Sequence, residues 1–283
     1  MPLTDLTWQL GSGPLLNSDS TGVPFVDISR VSGLDNAPFR ETVRDHEGID
    51  GGFIDAEFET GRDISLEGTV YANVETAEEY LDLLKENFAP VQTPIPLVFK
   101  VPGKAERVLF VKSRGVRYDW ESARRVGMTP IQFLMYAEDP RIYDNNLISQ
   151  IIPFGGTATT GYAFSYGFDL SFGATVPPDG QFVVNVGNRP TPAILTITGP
   201  VLNPRIVNDT AGKTLAFTID LLAGETLVID LANNTVMLNG TVNRRSMLDE
   251  SNWFLFPKGS TFIRFGGATG SGTLTISYRN AWR

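Results

Sequence analysis

The chain has no cysteine and a single histidine, His46, among its 283 residues. Without cysteine there is no disulfide stapling, no thiolate catalysis and no thiolate metal site. A lone histidine rules out a multi-histidine metal centre. No apolar run approaches the roughly 18 residues that cross a bilayer. Met1 to Leu10 lacks the basic-then-apolar order of a signal peptide. Synthesis and folding in a cytoplasm, with no membrane partner, are therefore expected. Basic residues are outnumbered, with 23 Lys and Arg against 32 Asp and Glu and a net charge of -9, which argues against nucleic acid or an anionic membrane as the main partner.

Signatures of catalysis are missing as well. No serine sits in the Gly-x-Ser-x-Gly surroundings of a nucleophile elbow. Gly212-Lys213-Thr214 has the look of the end of a phosphate loop, but Val207 stands where the first glycine belongs and no helix-forming segment follows; a turn between strands is expected. Asp45, Glu47 and Asp50 could offer oxygen ligands to calcium, yet their spacing is not that of an EF-hand loop. No pair of carboxylates stands out for glycoside hydrolysis. The expectation is a protein that is not an enzyme, with no catalytic, cofactor-binding or metal-ligating residue.

What is present reads as two domains, since a single core stops growing near roughly 250 to 300 residues. Residues 1–143 read as an α+β domain, a barrel-like sheet with one helix packed on it. Strand candidates are Pro24 to Ile28, Ile54 to Phe58, Ile64 to Ala72, Leu97 to Val101, Arg107 to Val111 and Met128 to Ala137. The helix candidate is Thr76 to Ala89. Thr76 and Glu79 have the spacing of a capping box, Tyr80, Leu84 and Phe88 with Leu81 form an apolar stripe, and Pro90 ends the segment. Residues 144–190 read as a connecting segment. It contains Tyr162, Phe164, Tyr166 and Phe168 at two-residue spacing, which in a strand would place all four rings on one face. Such a row packs against the second domain or a neighbouring subunit, with ligand stacking as the alternative.

Residues 191–283 read as an all-β sandwich. Ala193 to Thr198, Leu215 to Ile219, Thr226 to Asp230, Thr235 to Leu238, Thr261 to Phe265 and Thr273 to Tyr278 are β-branched or aromatic-rich, and Gly, Pro and Asn pairs break them at about ten-residue spacing. Trp253 and Leu255 are expected to face one way and Phe254 and Phe256 the other. Trp253 is thereby a candidate for stacking on a sugar, against the alternative of a tryptophan buried between sheets.

Charge is distributed unevenly. Residues 35–90 hold fifteen acidic and four basic residues, whereas residues 100–125 hold eight basic and three acidic. These are either two solvated faces of one domain or the opposite flanks of a subunit that associates head to tail. Arg114, Arg117, Arg124 and Arg125 on one side and Glu57 and Glu59 on the other are the candidate interface charges.

Taken in order, several phrases resemble a known family. They are Phe133-Leu-Met-Tyr-Ala-Glu-Asp-Pro-Arg-Ile-Tyr143, Val186-Gly-Asn-Arg-Pro-Thr-Pro-Ala193, Ile197-Thr-Gly-Pro-Val-Leu-Asn-Pro-Arg-Ile-Val-Asn208, Thr210-Ala-Gly-Lys-Thr-Leu215, Leu227-Val-Ile-Asp230, Trp253 to Gly259 and Ile276-Ser-Tyr-Arg-Asn-Ala-Trp282. The chain resembles the distal or minor tail proteins of siphophages, especially those of actinobacteria. The resemblance implies a structural virion protein whose first domain forms a ring, usually of six copies, joining the tail tube to the tail hub. It implies a galectin-like or carbohydrate-module-like second domain on the outside of the ring, and a channel that passes DNA without specific binding. Partners implied are other copies, tube and hub proteins and, as an alternative role, host cell-surface carbohydrate.

Overall fold

A computed structural model of the chain describes residues 3–17, 24–35, 37–46, 48, 50, 52–119, 128–155 and 180–283. The chain divides into two units. One comprises residues 1–146 with Trp282 and Arg283, the other residues 147–281.

The first unit is built on an antiparallel sheet. Its strands run Leu15–Leu16, Trp8–Leu10, Ile95–Phe99, Arg107–Tyr118, Met128–Ala137, Arg62–Tyr71 and Phe25–Ser32 in spatial order. Alternation of burial is regular in the central strands, where Ile64, Leu66 and Val70 face the core alongside Ile131, Phe133 and Met135. Such alternation is what a pleated strand with one covered face requires. The cover is the helix Val74–Asn87. Its Ala77, Leu81 and Leu84, with Phe88 just beyond its end, are buried in the same core, and the Phe88 and Phe133 rings lie 4.4 Å apart. Each such leucine or phenylalanine contributes about 1.5 to 3 kcal/mol by leaving water.

The helix begins two residues before the position expected from sequence. Asn73 is its N-cap and makes no side-chain capping bond. Thr76 lies inside the first turn, where its Oγ1 donates to the Asn73 carbonyl at 3.3 Å, so the capping-box spacing is not used as a cap. At the other end Pro90 has no N–H to extend the ladder.

The second unit is a β-sandwich. One sheet has the order Ile148–Pro153, Thr273–Tyr278, Ala193–Thr198, Thr226–Asp230, Thr235–Leu238, Val242–Asn243. The other runs Gly180–Asn185, Gly259–Gly266, Arg205–Asn208, Lys213–Phe217, Leu248–Ser251. Leu195, Ile197, Ile229, Leu274 and Ile276 of the first meet Ile206, Leu215, Phe217, Ile263 and Phe265 of the second in one core. Phe254 and Phe256 are buried in it, while Trp253 and Leu255 are partly exposed. Gly212-Lys213-Thr214 closes the turn between Arg205–Asn208 and Lys213–Phe217, as expected.

The division between units falls after Asn146, three residues beyond the boundary read from sequence. Ile142 and Tyr143 are buried in the first unit, and Asp144 and Asn145 are bound to it, Asp144 to Arg107 at 3.4 Å and Asn145 Nδ2 to Glu106 Oε2 at 2.9 Å. Nor is 144–190 simply a connector, because Ile148–Pro153 and Gly180–Asn185 are edge strands of the two sheets. The alternating aromatics Tyr162 to Phe168 lie outside the described residues. The chain also ends differently from the expectation of a last domain running to Arg283. Trp282 returns to the first unit, its Nε1 donating to Asp144 Oδ1 at 2.8 Å and its ring lying under the Arg107 guanidinium at 3.9 Å.

Candidate assembly surfaces

Among the described residues, strands Phe39–Asp45 and Gly52–Glu59 pair only with each other, in a two-stranded sheet of their own. Direct partners include Phe39 with Glu59, Arg40 with Phe58 and Glu41 with Glu57. Phe39, Phe53 and Phe58 are 48, 46 and 58% exposed. Arg40 stands over the Phe58 ring at 5.9 Å and Arg283 over Phe39 at 5.6 Å. An isolated two-stranded ribbon is only marginally stable in water, and its exposed rings, with Phe39 and Phe58 on opposite faces, make it a candidate contact surface.

Two candidate charges sit on this ribbon. Glu57 is exposed and directly opposite Glu41, an unfavourable like-charge pair that a cation from elsewhere would relieve. Glu59 is largely covered and lies 3.4 Å from the Arg283 guanidinium. His46, also exposed, lies beside the Phe53 ring at 5.1 Å.

The basic stretch is matched by carboxylates within its own unit. Arg114 pairs with Asp63 at 2.8 Å and lies over the Tyr136 ring at 4.6 Å. Lys100 pairs with Asp5 at 3.2 Å and Lys112 with Glu138 at 2.6 Å. The acidic and basic segments thus meet inside one subunit at Arg114 and Asp63. Arg117 is exposed on the same strand as Arg114, at a shallow depression of about 610 Å³ that also takes in Glu67 and Gln132. Arg124 and Arg125 lie outside the described residues, as does Glu47 of the possible calcium cluster.

Trp253 is packed against the core of the second unit with only part of its surface open. Arg245 stands over its ring at 5.8 Å, and its carbonyl accepts from Lys213 Nζ at 3.0 Å. A sugar stacking there would have to displace Arg245. Among the described residues no three His, Asp or Glu side chains stand together in a way that could hold a metal ion.

The ribbon is what sequence reasoning missed. Its second strand was legible, but the first, Phe39–Asp45, carries Arg40, Glu41, Arg44 and Asp45 and has no alternation of apolar residues to mark it. The usable signal was Phe39, followed after a glycine-rich turn by Phe53 and Phe58.

Residues 186–282 match the family model of the siphovirus-type tail component, C-terminal domain. By this match residues 186–282 are similar to the C-terminal domain of siphovirus-type tail components. The whole chain is similar in structure to the Dit protein of phage SPP1, described as a paradigm of the hub adsorption apparatus in phages infecting Gram-positive bacteria. That likeness has a TM-score of 0.65 at 15% identity and covers 97% of this chain and 98% of that one. It is also similar to chains of the phage p2 baseplate in its activated conformation. With calcium the TM-score is 0.56 at 12% identity, covering 98% of both chains; with strontium it is 0.55 at 14% identity, covering 96 and 97%. At such identities the likenesses establish a shared fold across both units. No curated protein matches the chain.

Proposed function

We propose that the protein is a distal tail protein, a non-enzymatic component of the siphophage tail tip. In this reading its first unit closes into a ring, of six copies, that joins the tail tube to the hub or baseplate proteins and leaves a channel through which DNA passes without specific binding. The second unit is carried as a module for contacts with the rest of the tip. Synthesis and assembly take place in the host cytoplasm, and the mature location is the virion tail tip.

The observation that carries this reading is the tail-component match of residues 186–282 joined to a likeness to Dit over nearly the whole chain. The observation that favours self-association is the ribbon of Phe39–Asp45 and Gly52–Glu59, which pairs with no other strand among the described residues and exposes three phenylalanines; in a ring it would lie between neighbours. Electron microscopy of the purified protein with native mass measurement tests it. The expected result is a closed ring with a central hole and a mass six times 31.0 kDa. A uniform monomer, both alone at high concentration and with tube or hub protein added, would overturn it.

A further inference from the structure

The ribbon joins its unit through a narrow neck. Ala37 is buried on one side, and on the other the buried Arg62 opens a core strand directly after Thr60 and Gly61. Between them Thr60 closes the base on Pro38, its N and its Oγ1 donating to the Pro38 carbonyl at 2.8 and 3.1 Å. A Cβ at Gly61 would lie 2.6 Å from the Ala137 carbonyl oxygen, so the chain leaves the core pressed against the neighbouring strand. Beyond the neck the ribbon projects. Of the described side chains on its two strands, only that of Glu59 is not exposed. Phe39–Asp45 spans about 20 Å at roughly 3.4 Å per residue, so a tilt of about 10° at the neck moves the far end by about 3.5 Å, close to a full contact distance.

Arg283 holds the rung next to the neck. Phe39 and Glu59 are direct partners and therefore share one face of the ribbon, and Arg283 reaches both. Its guanidinium lies 3.4 Å from Glu59 Oε1 and 5.6 Å from the centre of the Phe39 ring. The Glu59 side chain is only 10% exposed, and a carboxylate so far removed from water depends on a cation more than one in solvent does. Arg283 is itself placed by its neighbour. Trp282 lies in a strand paired with Ile142–Asp144, packs against the first core, and is gripped by Asp144 and Arg107 as described above.

We propose that Trp282 and Arg283 are positioning residues for assembly: with Trp282 as the anchor, the Arg283 guanidinium clasps the Phe39–Glu59 rung and fixes the direction in which the ribbon reaches a neighbouring copy. The assembly half of this statement rests on the ring reading given above; the clasp itself does not. A projecting arm that is already aimed loses less freedom on docking than one that swings, and the difference appears as affinity. The clasp also accounts for a charged pair at the base of an element whose other described side chains are open to water. A cation and a ring face at one rung hold both strands at once.

The test is a distance measurement in a chain that has no cysteine of its own. Arg44→Cys on the ribbon and Glu86→Cys on the helix, both exposed positions, take spin labels, and the labelled full-length protein is diluted with unlabelled protein so that only distances within one copy are read. Arg283→Ala should broaden the distance distribution at least about twofold and raise the subunit concentration needed for rings about tenfold, with the melting temperature unchanged. Arg283→Lys, which keeps the charge and loses the fork, should fall between. Glu59→Gln should match Arg283→Ala and add nothing to it, as expected of two residues acting as a pair. A distribution as narrow in Arg283→Ala as in the parent would overturn the clasp. A broadened distribution with rings that form as in the parent would overturn its part in assembly, and so would a melting temperature that falls along with ring formation. Parent protein that forms no ring, alone or with tube or hub protein, removes the ring reading and the assembly half with it, while the widths still decide whether Arg283 holds the ribbon.

Discussion

Arg62 is buried at the start of a central strand, and its Nη1 lies 3.4, 3.3 and 3.2 Å from the carbonyls of Gly33, Leu34 and Asp35. The loop comes that close because Gly33 has a φ of +86° and a Cβ there would lie 1.9 Å from the Asp63 carbonyl oxygen. Arg62→Met keeps the volume and removes the donor, leaving those carbonyls without it. We expect a loss of about 1 to 3 kcal/mol in denaturant unfolding; an unchanged midpoint would mean the loop finds other donors. Glu106 acts at the surface in a similar way. Its Oε2 accepts from Asn145 Nδ2 at 2.9 Å and its Oε1 from Leu3 N at 2.7 Å. Chiefly through Asn145, these bonds hold its carboxyl below the ordinary range. The folded state thus favours the ionised form more than the unfolded chain does. Its contribution is complete at neutral pH and disappears as pH falls from about 4.3, the ordinary glutamate value, through the lower folded value. Stability of the parent and of Glu106→Gln should therefore differ at pH 7 and converge in acid. A difference that stays constant on acidification would show that the ionised carboxylate is not what matters.

The ribbon 39–59 is the element on which assembly is argued to depend, and its exposed rings can be changed without touching either core. Phe53→Glu and Phe58→Glu should shift the melting of the free subunit little, by less than about 0.5 kcal/mol, while abolishing self-association seen by sedimentation. Rings that persist in both variants would remove the ribbon from the interface. The ribbon also shows what local pattern conveys. Met128–Ala137, Ala193–Thr198 and Thr226–Asp230 were legible to the residue, because one face of each enters a core and turn residues bound it. The described side chains of Phe39–Asp45 enter neither core, so nothing forces an apolar period on them. In the helix the stripe of Tyr80, Leu81, Leu84 and Phe88 was legible while the start was not, since the Thr76 and Glu79 spacing occurs within the first turn as readily as at its cap. The return of Trp282 to Arg107 and Asp144 depends on contacts more than a hundred residues apart, which no local period encodes. Of the candidate site, Glu57 and Glu59 lie on the ribbon, whereas the rings beside them and the pairing of Arg114 with Asp63 were invisible until the strands were in register.

At the scale of the molecule, each copy carries a net charge of -9, so any ring of copies must form against mutual repulsion. Much of the basic stretch cannot offset this between neighbours, because Lys100, Lys112 and Arg114 already face Asp5, Glu138 and Asp63 in their own subunit. Transferring one of them to a neighbour's carboxylate exchanges one exposed pair for another, each contributing about 0 to 1 kcal/mol. Association then has to come from apolar contact, for which the ribbon's phenylalanines are available. Salt separates the two cases by sign. Between 0.1 and 1 M the screening length falls from about 10 to about 3 Å, which weakens repulsion between like-charged subunits and strengthens apolar association. We therefore expect rings measured by sedimentation to hold or tighten as sodium chloride rises over that range. Rings that fall apart instead would place ion pairs between subunits, with Glu57 and Arg117, both exposed, as the first to test by charge reversal.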